Sequence, residues 1–220
     1  MASMSIFITL SLSYSFVAVV LIALYAHTEQ NNSLYSSIFP SKYYRIYFAI
    51  LFVCSLVVLM WQGINAIYVI LMFLLLLGII DIKCLALPDT LNFSLLLVCV
   101  VYAFLESIFL QESFIYRVLL GFGVGGIFFT LKILYQSLAN KDILGEADII
   151  VLSSLGIAFG APSAFVSVFL GSIAALIYAL FLNLIFKRTL FELKLPFCFF
   201  IFIGVILHFV WFEYGERFYA

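Results

Sequence analysis

The sequence predicts an all-α, polytopic membrane protein of about eight transmembrane helices, with its N-terminus outside. Three observations predict it. Of 220 residues, 67% are hydrophobic and only 10% charged, where a soluble domain runs near ~45–50% apolar and ~25% charged. Apolar stretches follow one another from end to end, many of them matching the roughly 20 residues of helix that a bilayer core requires. Lys and Arg gather in alternate connections, as they do on the cytoplasmic side of membrane proteins.

The stretches lie near 5–26, 43–62, 64–82, 89–110, 114–137, 147–160, 162–187 and 195–213. The first is not preceded by a basic region or followed by an A-x-A-like cleavage site, and reads as a retained span. The fourth opens at Pro88-Asp89, a residue pair suited to a helix start. The sixth is short, closing at Gly160 with Pro162 restarting the chain, and the eighth begins near Pro196. The longest polar stretch, HTEQNNSLYSSIFPSKYYR (27–45), is too short to fold alone. With no internal repeat, residues 1–220 read as a single integral membrane domain surrounded by lipid.

An outside N-terminus puts Lys42, Arg45, Lys83, Lys132, Lys141, Lys187, Arg188 and Lys194 at or beside inner connections, and only Arg117 and Arg217 outside. The same orientation brings the residues after Asp81 and those before Asp148 to one face, the cytoplasmic one.

Several functions are excluded. A net charge of −1 offers nucleic acid no basic surface. Cys54, Cys84, Cys99 and Cys198 are widely spaced, without a CxxC pair or nearby His. They read as small apolar helix residues, and neither a metal nor a cofactor is expected. There is no HExxH, and His27 and His208 fall on opposite faces, away from a usable Ser or Cys nucleophile. His208 reads as a helix-packing residue, and Glu106 and Glu112 as interfacial. The glycines of GFGVGG (121–126), inside an apolar span, permit close helix packing rather than phosphate binding.

The carboxylates carry the chemical signal. Asp81 follows fourteen uncharged residues and ends its helix, where the dipole disfavours an anion. Asp89 sits in a first turn, where a carboxylate is favoured, so a structural role competes with a functional one. Asp148 opens the short sixth helix in GEADIIVLSSLGIAFG (145–160) and alone reads as a cap, with Gly145 allowing the tight approach. Paired with Asp81 at similar depth on one face, it becomes half of a proton-sharing carboxylate pair, the arrangement of an aspartic protease.

The pattern Asp81-x6-Pro88-Asp89, followed by Gly145-x-Ala147-Asp148, resembles the type IV prepilin peptidases, intramembrane aspartyl proteases with a G-x-G-D or G-x-hydrophobic-D signature. Gly156 and LKLPFCFFIFIG (193–204) extend the likeness, so that a peptidase core covers about 60–205. The resemblance implies Asp81 and Asp148 as catalytic dyad, with Pro88, Asp89, Gly145, Ala147 and Gly156 supporting. It implies a prepilin or pseudopilin substrate, cleaved of its basic leader at the cytoplasmic face of a bacterial inner membrane. Glu146 and Asp142 could steer that leader. Two residues depart from G-x-G-D-x-K: Ala147 stands for the second Gly and Ile150 for the Lys. The 27–45 stretch has no Cys, so the CxxC module of N-methylating members is not expected there. Two other classes stay open: a non-enzymatic assembly relative, and a small transporter binding protons or cations at the paired Asp residues.

Overall fold

In the computed structural model the described residues are 2–28, 42–111, 113–139, 144–186 and 195–219. Most of the polar 27–45 stretch, Glu112, Lys141, Asp142, Lys187, Arg188 and Lys194 lie outside them. Among the described residues the chain forms eight helices: α1 (Ala2–Thr28), α2 (Lys42–Gln62), α3 (Ala66–Cys84), α4 (Asp89–Leu110), α5 (Phe114–Ala139), α6 (Glu146–Phe159), α7 (Ala161–Phe186) and α8 (Phe197–Tyr219). Each corresponds to one apolar stretch of the sequence.

Six of them, α1 to α5 and α7, are long and apolar enough to cross a bilayer. α6 is not: at ~1.5 Å per residue its 14 residues reach about 21 Å, short of a ~30 Å core. It is instead wrapped by protein, with Val151 to Ala158 continuously buried. α3 is the other enclosed helix, with 67% of its apolar window buried against 28% or less in the other five. The two most enclosed helices are therefore the two that carry Asp81 and Asp148.

Packing explains how they are held. α3 lies against α8, α1, α4 and α2, whereas α6 lies against α4, α5, α7 and α8. α4 and α8 touch both central helices and bridge them. Small residues let the backbones approach: a Cβ on Gly121 or Gly125 of α5 would overlap Ile157 or Ser153 of α6, and one on Gly156 would meet Gly121 Cα at 2.9 Å. The GFGVGG run thus serves helix packing, on its Gly121 and Gly125 face. Buried hydroxyls add cross-helix bonds, Tyr14 donating to the Met72 carbonyl (2.8 Å) and Ser55 pairing with Tyr68 (2.8 Å).

Turn chemistry sets the breaks. Leu85 takes a left-handed conformation (φ 51°) and its N–H returns to the Asp81 carbonyl at 2.8 Å, ending α3. Gly160 (φ 83°) separates α6 from α7, a backbone state that suits glycine, and Pro162 lies in the first turn of α7.

Candidate active site

Asp81 is 7% exposed in the last turn of α3, where its own helix dipole opposes a negative charge. Its compensation comes from α8. The Cys198 backbone N–H, one of the first-turn donors that a helix cannot satisfy internally, donates to Asp81 Oδ2 at 2.8 Å. Pro196, just before α8, accepts the Phe200 N–H on its carbonyl at 3.4 Å and so opens that first turn.

Asp148 is half-buried at the third position of α6, and its Oδ2 accepts the Gly145 N–H at 3.1 Å. This is the backward arm of a capping box. Gly145 itself has ordinary extended torsions (φ −66°, ψ 149°). What glycine supplies there is space, since a Cβ would sit 3.0 Å from Asp148 Oδ2. The Gly145 bond is the one that the capping reading of Asp148 expects, and it occupies Oδ2.

The fold brings the two carboxylates within electrostatic reach of each other, and the Cys198 thiol within reach of both. Neither Asp takes part in an ion pair among the described residues. Among the described residues each carboxylate thus accepts one backbone N–H at a helix N-terminus, through Oδ2. Such a pair shares protons more readily than a pair neutralised by cations.

The other sequence candidates divide by position. Pro88 precedes α4 as its N-cap, and Asp89 is exposed in the first turn. Ala147 is drawn to α4 by its carbonyl, which accepts from Asn92 Nδ2 at 2.8 Å. Gly156 lies two turns along α6, away from the carboxylates, and acts through packing on α5. Glu146 points outward, its side chain 87% exposed, with Lys132 Nζ 3.8 Å from Oε1.

Three participants were not singled out in the sequence: Asn92, Lys132 and the Cys198 N–H. Lys132 stands in the apolar run of α5, and its largely buried side chain also feels Asp148; a lone Lys in such a run was the available signal. A main-chain donor leaves no mark in sequence at all. Among the described residues no group of three or more His, Cys, Asp or Glu is placed to hold a metal.

Glu106, expected near an outer helix end, has a partner there. It forms a 2.6 Å ion pair with Arg117 at the opposite end of the bundle, and Arg117 also donates to the Ala158 carbonyl at 3.0 Å. The carbonyl belongs to the last turn of α6, which otherwise lacks partners there.

A family model, the type IV leader peptidase family, matches residues 68–180, about half of the chain. The chain belongs to the type IV leader peptidase family. The match encloses Asp81, Asp89, Gly145, Asp148 and Gly156, and stops before α8. Neither the curated proteins nor the solved structures contain a match. Leader peptidases are proteases, and the apolar helices make this one a multi-pass membrane protein.

Proposed function

We propose that the protein is an aspartic endopeptidase that removes the basic leader of type IV prepilins or pseudopilins, with Asp81 and Asp148 as its catalytic pair. The observation that carries the reading is the placement of these two carboxylates within mutual reach at one end of the bundle, each fixed by a single backbone N–H. In this reading one carboxylate is ionised and the other protonated. The ionised one takes a proton from water, and the hydroxide equivalent adds to the scissile carbonyl carbon. The protonated one donates to the carbonyl oxygen, giving a tetrahedral diol. As the diol collapses, the C–N bond breaks and a proton passes to the departing amine, with no covalent intermediate.

We place this end at the cytoplasmic face of a bacterial inner membrane, following the Lys and Arg bias, with the N-terminus outside and all eight helices embedded. Two further features favour this reading. An apolar groove of about 760 Å³, lined by Ile82, Leu85, Pro196, Phe199 and Phe200 among others, opens beside the residue following Asp81. It suits the hydrophobic segment that follows a prepilin leader. Exposed Glu146 and Asp89 supply negative charge for a basic leader at the same end.

Co-expression with a prepilin tests the reading, with leader removal followed by gel mobility. Processing by the unmodified chain and its loss in both Asp81→Asn and Asp148→Asn are expected. Normal processing by either variant sinks the pair. A folded but unprocessing chain supports the non-enzymatic relative, which the Ala147 and Ile150 departures would suit.

A further inference from the structure

Asn92 is completely buried, in the first turn of α4. Its Nδ2 donates to the Ala147 carbonyl at 2.8 Å. The amide can face that carbonyl only with its nitrogen, because a carbonyl oxygen accepts and does not donate. Oδ1 is therefore turned elsewhere, and it is buried with no hydrogen-bond partner.

Neither half of this arrangement serves folding well. Within α6 the Ala147 carbonyl also has the helix's own i+4 N–H as donor, so it does not need Asn92. An unpaired buried acceptor is destabilising, and a residue retained with one calls for a functional explanation. The neighbour that Asn92 reaches supplies it. Ala147 immediately precedes Asp148, so the bond ties the first turn of α6, and with it the Asp148 carboxylate, to α4.

We propose that Asn92 is a positioning residue for Asp148: its Nδ2 clamps the first turn of α6 to α4. The role rests on the peptidase reading above. Among the described residues the charged and titratable groups that Asp148 feels from neighbouring helices are Asp81 from α3, Lys132 from α5 and Cys198 from α8, and the hydrogen bond from α4 comes from neutral Asn92. The clamp thus holds α6 in place without adding a charge to the pair.

Two variants separate positioning from mere packing. Asn92→Leu keeps the branching at Cγ, with two methyl groups in place of Oδ1 and Nδ2, and removes both the clamp and the unpaired acceptor. It is expected to leave the thermal midpoint of the detergent-solubilised protein unchanged or higher. The kcat for leader cleavage falls about 10- to 100-fold, the scale of a misplaced catalytic group, with KM changed less than about threefold. Asn92→Asp keeps the shape but donates to Ala147 only when its carboxyl is protonated, so its activity recovers as pH falls, which Asn92→Leu does not do. Wild-type kcat and pH profile in Asn92→Leu, or a loss matching the fraction unfolded, overturns the clamp while leaving the peptidase reading intact. If the unmodified chain cleaves no leader, that reading fails and the clamp is judged by infrared titration of the Asp148 carboxyl. A displaced midpoint in Asn92→Leu then sustains it, and an unchanged midpoint overturns it.

Discussion

The two ends of the helix bundle treat a carboxylate in opposite ways. At one end Glu106 is matched by Arg117 at 2.6 Å, and the same guanidinium closes the last turn of α6 through Ala158. At the other end Asp81 and Asp148 contact no cation among the described residues and lean on the N–H groups of Cys198 and Gly145. An ion pair fixes a proton state, whereas a carboxylate held by one main-chain donor can still gain or lose a proton. α6 runs between these ends, anchored by charge at its C-terminus and carrying a titratable group at its N-terminus. The proposed catalytic pair needs the second kind of carboxylate.

The contrast is sharpest under substitution of the Asp pair. Asp81→Asn and Asp148→Asn should each lower leader cleavage by ~10²- to 10⁴-fold, the usual contribution of a general acid or base. Helical circular dichroism should not change. The double variant should be no worse than the more damaging single one, because such groups act as a unit; additive losses would show that the two residues work separately. The unmodified protein should show a bell-shaped dependence of kcat on pH, since one carboxylate must be protonated and the other ionised. A rate independent of pH would argue against proton sharing.

At the opposite end the expected loss is of stability, not of chemistry. Arg117→Met strips Glu106 of its partner and frees the α6 terminus. The cost should be on the order of 1–3 kcal/mol, kept modest because both side chains are partly exposed. Thermal unfolding in detergent measures it, and kcat per folded molecule should hold. A fall in kcat without a fall in stability would mean that the ion pair communicates with the Asp end.

Smaller effects refine the Asp end. Glu146→Gln removes an exposed carboxylate that meets Lys132 only at 3.8 Å. Stability should be indifferent, while KM for a basic-leader substrate rises by at most a few-fold and loses part of its salt dependence. An unchanged KM at low salt would remove Glu146 from substrate attraction. Cys198→Ala should change cleavage least of all, because Cys198 bonds Asp81 through its backbone. A large loss there would assign a role to the thiol itself.

Much of this was legible in the chain itself, and for identifiable reasons. An Asp after fourteen apolar residues is costly enough to stand out, and Gly160 with Pro162 marks a helix break by torsion alone. The partner of Glu106 was not legible, because nothing local links an acid to an arginine eleven residues away on another helix. Gly145 was read as allowing a tight approach, and only the structure shows that it does so by leaving room beside Asp148 rather than by its torsions. Asn92 was passed over because a polar residue in a first helical turn is unremarkable until its burial is known.

By itself the sequence determined the eight apolar segments, their breaks, the family motifs and the identity of the two candidate carboxylates. These depend on composition and on torsional preferences that act over a few residues. Tertiary structure alone decided that α3 and α6 are the enclosed helices, and that α8 offers its N-terminus to Asp81. It also decided that Asn92 grips the turn carrying Asp148. The physical reason is that in helices apolar on every side, hydrophobic periodicity no longer selects a buried face. Which faces meet then depends on where glycines permit close approach and where unsatisfied helix ends find a partner.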